Sequence, residues 1–321
     1  MQQRNLGKSG LKVSLVGLGC NNFGGNRIDL EASRKVIHKA LDLGITLIDT
    51  ADTYGNRGAS ESILGECLGD RRKDIVLATK CGLPMDEAGL LQGASRRYIL
   101  SAAEASLKRL NTDWIDLYII HRPDPLTPIE ETLRALDDLV RAGKIRYYGC
   151  SGAAAWQLVT MHWTARHHDL NRLACGEMEY SLLHRDPERE HVPAMLAHGI
   201  GLLPYYPLAS GFLTGKYKRG DAMPAGGRLT RFQRYSDRFM TAINWTRLEN
   251  LQAFGNARAH PLLDVAIAWL AAQPVVSSII AGATLPEQVE LNVKAGEWAL
   301  SAQDVAEIDR ITGCGEANEA D

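Results

Sequence analysis

Asp49, Tyr54, Lys80 and His121 stand at or just past the ends of three apolar runs, ITLIDTADTYG, DIVLATK and WIDLYIIH. An unpaired ammonium after an apolar strand is costly, and an acid such as Asp49 would offset that cost. A lysine beside a tyrosine favours loss of the phenolic proton. A phenol, with an ordinary pKa of about 10, could then give or take a proton near neutral pH. His121 could orient a carbonyl oxygen or share the proton. The set fits acid–base chemistry on a carbonyl or an alcohol. It does not fit a serine hydrolase, because no GxSxG elbow is present. The competing reading is a buried Asp49–Lys80 pair with Tyr54 capping a loop. Asp52 reads as a helix or loop cap, and Ser60-Glu61-Ser62 as the start of a helix carrying Ile63, Leu64, Cys67 and Leu68.

Carbonyl chemistry also needs a hydride, which no side chain supplies. Tyr205 is a candidate platform for a nicotinamide ring. Leu285-Pro286-Glu287 reads as a helix start whose free N–H groups suit a phosphate. Lys216, Lys218, Arg219 and Arg228 could add positive charge, or could form an ordinary solvated loop.

The elements that would position these residues are eight short runs: 14–19, 45–51, 74–80, 114–121, 145–151, 173–180, 200–207 and 275–282. Most are nearly continuous apolar stretches, as expected of parallel strands covered on both faces. Helical patterns lie between them. In PIEETLRALDDLVRAGK, Ile129, Leu133, Leu136 and Val140 mark one face, opened by Pro128 and closed by Gly143. Gly44 ends another, with Val36, Ile37, Ala40 and Leu41 on one side. Eight alternations in one chain predict a (β/α)8 TIM barrel spanning 1–321 as a single domain, with its active site at the C-terminal strand ends. An open doubly wound sheet is the alternative. Its first loop would carry GxGxxG, and GLGCNNFGG does not match. RNLGKSGLKVS predicts a short N-terminal β-hairpin on the barrel floor. The stretch from Leu208 to about Asn244, after the seventh run, is too long for an ordinary connection and reads as a functional loop.

The 321 residues carry 36 basic and 38 acidic side chains, a net charge of -2 that favours neither nucleic acid nor an anionic membrane. MQQRNLGKSG has no apolar signal core, and no run of 18 apolar residues follows, so a cytoplasmic protein is expected. No coiled coil or interface stripe is evident, which favours a monomer. Cysteines at 20, 67, 81, 150, 175 and 314 lack CxxC spacing. They read as small packing residues, with a zinc or thiol site at strand ends as the alternative.

In combination, IDTADTYG, ATK, HRPD, YYPLASGFLTGKY and GATLPEQV resemble the aldo-keto reductase family, over nearly the whole chain. The resemblance implies a (β/α)8 barrel that reduces a small carbonyl substrate with NADPH or, less often, NADH, without metal. It makes Asp49, Tyr54, Lys80 and His121 the catalytic four, with Tyr54 the general acid. It places a cofactor groove along Cys20, Asn21, Ser151, Glu177, Tyr205, Pro207, Leu208, Gly211, Leu213, Lys216, Gly282, Thr284, Gln288 and Asn292. Three departures stand out. Gly152 follows Ser151 where the family has asparagine. Glu177 replaces a glutamine and, unless protonated, cannot donate to a carboxamide oxygen. Thr284 and Leu291 stand where the family often has a cation and a glutamate. Two other functions compete: a nicotinamide-binding regulatory or sensor protein with little turnover, and a lyase or isomerase using Lys80 as a Schiff base.

Overall fold

The computed structural model describes residues 1–25 and 27–313. Strands β1 (Gln3–Asn5) and β2 (Lys12–Ser14) form an antiparallel hairpin. Eight parallel strands follow: β3 (Val16–Gly19), β4 (Leu47–Asp49), β5 (Val76–Cys81), β6 (Ile115–Ile120), β7 (Ile145–Ser151), β8 (Cys175–Glu179), β9 (Gly201–Tyr205) and β10 (Ile279–Gly282). They pair in the order β10-β3-β4-β5-β6-β7-β8-β9. Leu202 closes the ring between β9 and the approach to β10. Its N–H donates to Val275 (2.8 Å), and its carbonyl accepts from Ser277 (2.9 Å). Helices cover the outside, as a (β/α)8 barrel requires.

All eight runs became strands, in several cases shortened. The run at 275–282, for instance, is ladder strand only from Ile279. The helix expected after Pro128 spans Ile129–Arg141, with Leu133 and Leu136 buried and Ile129 and Val140 packed against the core. Gly143 takes a left-handed φ of 73° just past its end.

The hairpin seals the floor. Leu6 and Val13 pack onto Leu47, Val76, Ala78, Leu117, Ile119, Cys175, Leu203 and Ile280, the side chains that fill the barrel interior. Gly7 makes the closest approach: a Cβ there would lie 2.4 Å from the Gly199 carbonyl oxygen, and its φ is +56°. Only glycine meets both demands without strain.

The long loop has structure of its own. A 3-10 turn at Ala209–Thr214 is followed by short helices Arg228–Arg231 and Gln233–Phe239, and then by the helix Ala242–Asn256. No helix among the described residues is long and apolar enough to cross a membrane.

Candidate active site

Side chains alternate faces along a strand, so each interior series can be followed to the barrel mouth. Leu47 leads to Asp49, Val76 and Ala78 to Lys80, Leu117 and Ile119 to His121, Cys175 to Glu177, Leu203 to Tyr205 and Ile280 to Gly282. Each named residue is thus the next inward position after an apolar one. The opposite series faces the helices: the Thr79 hydroxyl donates to Glu61 (2.5 Å), which also binds Arg109 (2.6 Å). Ser60 donates to the Cys20 carbonyl (2.9 Å) and bonds the Thr50 hydroxyl (2.8 Å), fixing the helix against the end of β4.

Lys80 is almost wholly buried. Its Nζ donates to Asp49 Oδ1 (2.6 Å), Asp49 Oδ2 (2.7 Å) and the Thr50 carbonyl (3.0 Å). Tyr54 Oη and Glu177 Oε2 each lie 3.5 Å from the same nitrogen. Burial alone would pull the ammonium pKa down. Asp49, then Glu177, outweigh it and hold Lys80 well above the ordinary lysine range.

Tyr54 sits at a sharp reversal. Gly55, Asn56, Arg57 and Gly58 all have positive φ, so the helix that ends at Leu68 is interrupted before Ser60. The expectation that Lys80 frees the phenolic proton is not met. Burial raises the Tyr54 pKa, and the opposing pull of Lys80, already shared with Asp49 and Glu177, does not reverse it. The resting phenol is therefore a proton donor. His121 meets it edge-on, with ring centroids 5.7 Å apart. Burial, then the charges of Lys80 and Arg122, push the imidazole down to about 3, so it is neutral at physiological pH.

Asp52 is buried beside the Thr53 N–H and the Tyr98 hydroxyl, and the helix cap position itself falls to Thr53, which makes no side-chain bond there. Burial and the neighbouring Glu61 push it up to about 7.

From Asp49, Tyr54 and Glu177 a cavity of about 660 Å³ runs to Thr284, Gln288 and Asn292. Eleven of the fourteen groove candidates line it: Asn21, Glu177, Tyr205, Pro207, Leu208, Gly211, Lys216, Gly282, Thr284, Gln288 and Asn292. Cys20, Ser151 and Leu213 do not. Cys20 and Leu213 are fully buried in the core, and Ser151 is 5 % exposed at the end of β7. The cavity also takes in Asn22, Arg27, Ser210 and Arg231, which were not singled out from sequence. The Asn-Asn pair in GLGCNNFGG and the TRFQR segment carried the available signal.

Several observations fit this cavity to a dinucleotide. Tyr206, Ala209, Ser210 and Gly211 have positive φ, and strain of this kind concentrates at ligand clamps. The Ser210 hydroxyl on that turn is buried with no partner among the described residues. A Cβ at Gly211 would lie 3.4 Å from Lys216 Nζ, so glycine leaves that ammonium room. Arg228 donates to Asn21 Oδ1 (3.1 Å) and Asn22 Oδ1 (2.7 Å), and Arg27 to the Asn21 carbonyl (2.8 Å) and Asn22 Oδ1 (2.9 Å). Among the described residues Arg27, Lys216, Arg228 and Arg231 have no ion-pair partner, which suits phosphate oxygens. Gln288 is committed locally, accepting from the Thr284 N–H (2.8 Å). Five cysteines are free and buried, and no metal-holding cluster exists among the described residues; Cys314 lies outside them.

A parallel eight-stranded barrel with charged residues gathered at its C-terminal mouth defines a barrel of the enzyme-bearing kind. The sequence model of the aldo/keto reductase family matches residues 15–312, and the chain belongs to that family. It is an NAD(P)H-dependent oxidoreductase. A probable voltage-gated potassium channel subunit beta of Arabidopsis thaliana is 38% identical over 304 residues, 92% of this chain and 91% of its own. The L-glyceraldehyde 3-phosphate reductase of Escherichia coli (strain K12) is 33% identical, covering 99% and 94%. An uncharacterized oxidoreductase of Bacillus subtilis (strain 168) is 36% identical, covering 94% and 93%.

Proposed function

We propose that the protein reduces an aldehyde or ketone to the alcohol with NADPH, and that Asp49, Tyr54, Lys80 and His121 do the work. The observation that carries this reading is the Lys80 ammonium, clamped by Asp49 and 3.5 Å from the Tyr54 phenol at the end of a cavity rich in unpaired cations. The reduced dinucleotide, when bound, supplies the hydride. Tyr54 gives its proton to the substrate oxygen, completing the O–H bond of the alcohol. The ammonium then faces the phenolate left behind, and this attraction grows only as charge develops. Neutral His121 places the carbonyl oxygen without adding charge. The unpaired cations Lys216, Arg228 and Arg231 favour NADPH over NADH, because the extra phosphate gives them a partner.

A second reading is a nicotinamide-binding regulatory protein, favoured by the likeness to the Arabidopsis channel subunit. A Schiff-base role for Lys80 fares worse, because that chemistry needs a neutral amine and this one is held charged. The test is NADPH oxidation with a panel of aldehydes and ketones, beside fluorescence titrations with NADPH and NADH. Steady turnover, lost in Tyr54→Phe, supports reduction. Tight binding with no turnover on any carbonyl supports the regulatory reading.

A further inference from the structure

Glu177 is not used by the mechanism above, and its surroundings are unusual. It is 2 % exposed and lines the inner end of the cavity with Tyr54 and Asp49. Among the described residues its Oε2 has no close hydrogen-bond partner. The cation that pairs with it among those residues is Lys80 at 3.5 Å, and Asp49 already holds that ammonium at 2.6 and 2.7 Å through both of its oxygens. Two carboxylates and one ammonium in a buried site would leave a net negative charge, which is costly to bury. The second acid avoids it by keeping its proton. Burial pushes Glu177 up to about 8; Lys80 opposes this and the charge of Asp49 adds to it.

We propose that Glu177 stands as a neutral carboxylic acid in the resting protein and ionises when an oxidised, cationic nicotinamide ring occupies the cavity beside it. The inference rests on the cofactor reading given above. As an acid, Glu177 offers one donor and one acceptor to a carboxamide, and its O–H restores the donor that a carboxylate lacks. When a ring carrying a full positive charge replaces the neutral reduced one, the O–H bond breaks. The proton passes to solvent through the open cavity, no electrons move at Glu177, and the carboxylate balances the new cation. Glu177 thus links the redox state of the bound dinucleotide to proton release.

The other titratable groups facing Glu177 are Asp49, Tyr54, Lys80, Cys150, Cys175 and Tyr205. Lys80, Tyr54, Tyr205 and both thiols are raised and hold their protons through the neutral range, while Asp49 is engaged by Lys80. Asp52 titrates near 7 but sits with Glu61 and Arg109 on the helix side, so Asp52→Asn is the control.

Two measurements test the proposal. Infrared spectra of the ligand-free protein, with and without carbon-13 glutamate, should show a protonated-carboxyl band at pH 7 that is missing in Glu177→Gln. In weakly buffered solution near pH 7, NADP⁺ should release protons on binding, with a Kd that falls by up to about tenfold per pH unit as pH rises towards 8. NADPH should release none, and Glu177→Gln should abolish the release while Asp52→Asn preserves it. A missing band, or NADP⁺ binding without proton release, overturns the inference. If neither dinucleotide binds, it is the cofactor reading that fails, and the ionising step with it, whereas the band still decides whether the acid rests neutral.

Discussion

Lys80→Met removes the ammonium and keeps most of the side chain's length. Asp49 then loses contacts at 2.6 and 2.7 Å while remaining 2 % exposed. Removing one partner of a buried pair costs about 3–5 kcal/mol, because the other charge stays behind. The pH dependence follows from what remains on Asp49. Burial is already the largest influence raising it, and Lys80 is what opposes that rise. In the variant its folded pKa therefore climbs further above the unfolded value of about 3.9. A group raised on folding contributes stability that is present below its unfolded pKa and lost as pH rises through its folded pKa. The deficit against wild type should accordingly be largest near pH 8 and shrink towards pH 5. Urea unfolding followed by tryptophan fluorescence at the two pH values reads it. Asp49→Asn/Lys80→Met, which deletes both charges, should recover most of the loss at pH 8 while carbonyl reduction stays absent. A deficit below about 1 kcal/mol at pH 8, equal deficits at both pH values, or a double variant as unstable as the sum of the singles would each refute the reasoning.

Tyr54→Phe deletes only the donor oxygen; NADPH oxidation should fall by about 10²–10⁴-fold while the fluorescence-derived Kd for NADPH holds. Arg228→Gln removes a cation that no acid among the described residues pairs with, and it should weaken NADPH by about tenfold or more, and NADH by less. Because His121 is pushed down to about 3, the acid limb of a pH–rate profile should not report an imidazole near its ordinary pKa of about 6.5. Gly7→Ala forces a methyl group onto the Gly199 carbonyl at a left-handed φ and should lower the melting temperature, leaving kcat/KM intact at 25 °C because the floor is far from the mouth.

The barrel was legible because its strands are buried on both faces, so eight apolar runs stand out whatever the loops do. The Asp49–Lys80 contact was legible for a related reason: a lysine closing the run DIVLATK has few ways to be stable except beside an acid. The state of Tyr54 was not. Its pKa depends on a balance between burial and a neighbouring cation, and sequence spacing reports the cation without the burial. The burial of Asp52 was not legible, because Asp before Thr-Tyr-Gly suggests an exposed turn, whereas the left-handed run through Gly55–Gly58 turns the chain by backbone conformation and leaves the carboxylate inside. Ser210, Arg27 and Arg231 were missed because they lie in the connections between strands, where the side chains that converge are set by the path of the chain and not by period.

The state of Glu177 follows from its place in the barrel. An interior series that runs apolar to the strand end leaves one final inward position before solvent, and an acid placed there is dry enough to hold its proton yet close enough to the cavity to lose it. Asp49 escapes that outcome because it reaches Lys80 with both oxygens; Glu177 does not, because the ammonium's short contacts are already taken. The number of good contacts one lysine can make therefore decides which acid at this mouth is a fixed charge and which remains titratable. Deleting Asp49 should reverse the ranking: in Asp49→Asn, Lys80 would turn to Glu177, and the protonated-carboxyl band assigned to Glu177 should disappear at pH 7. Persistence of that band in Asp49→Asn would mean that burial alone, not competition for the ammonium, keeps the proton on Glu177.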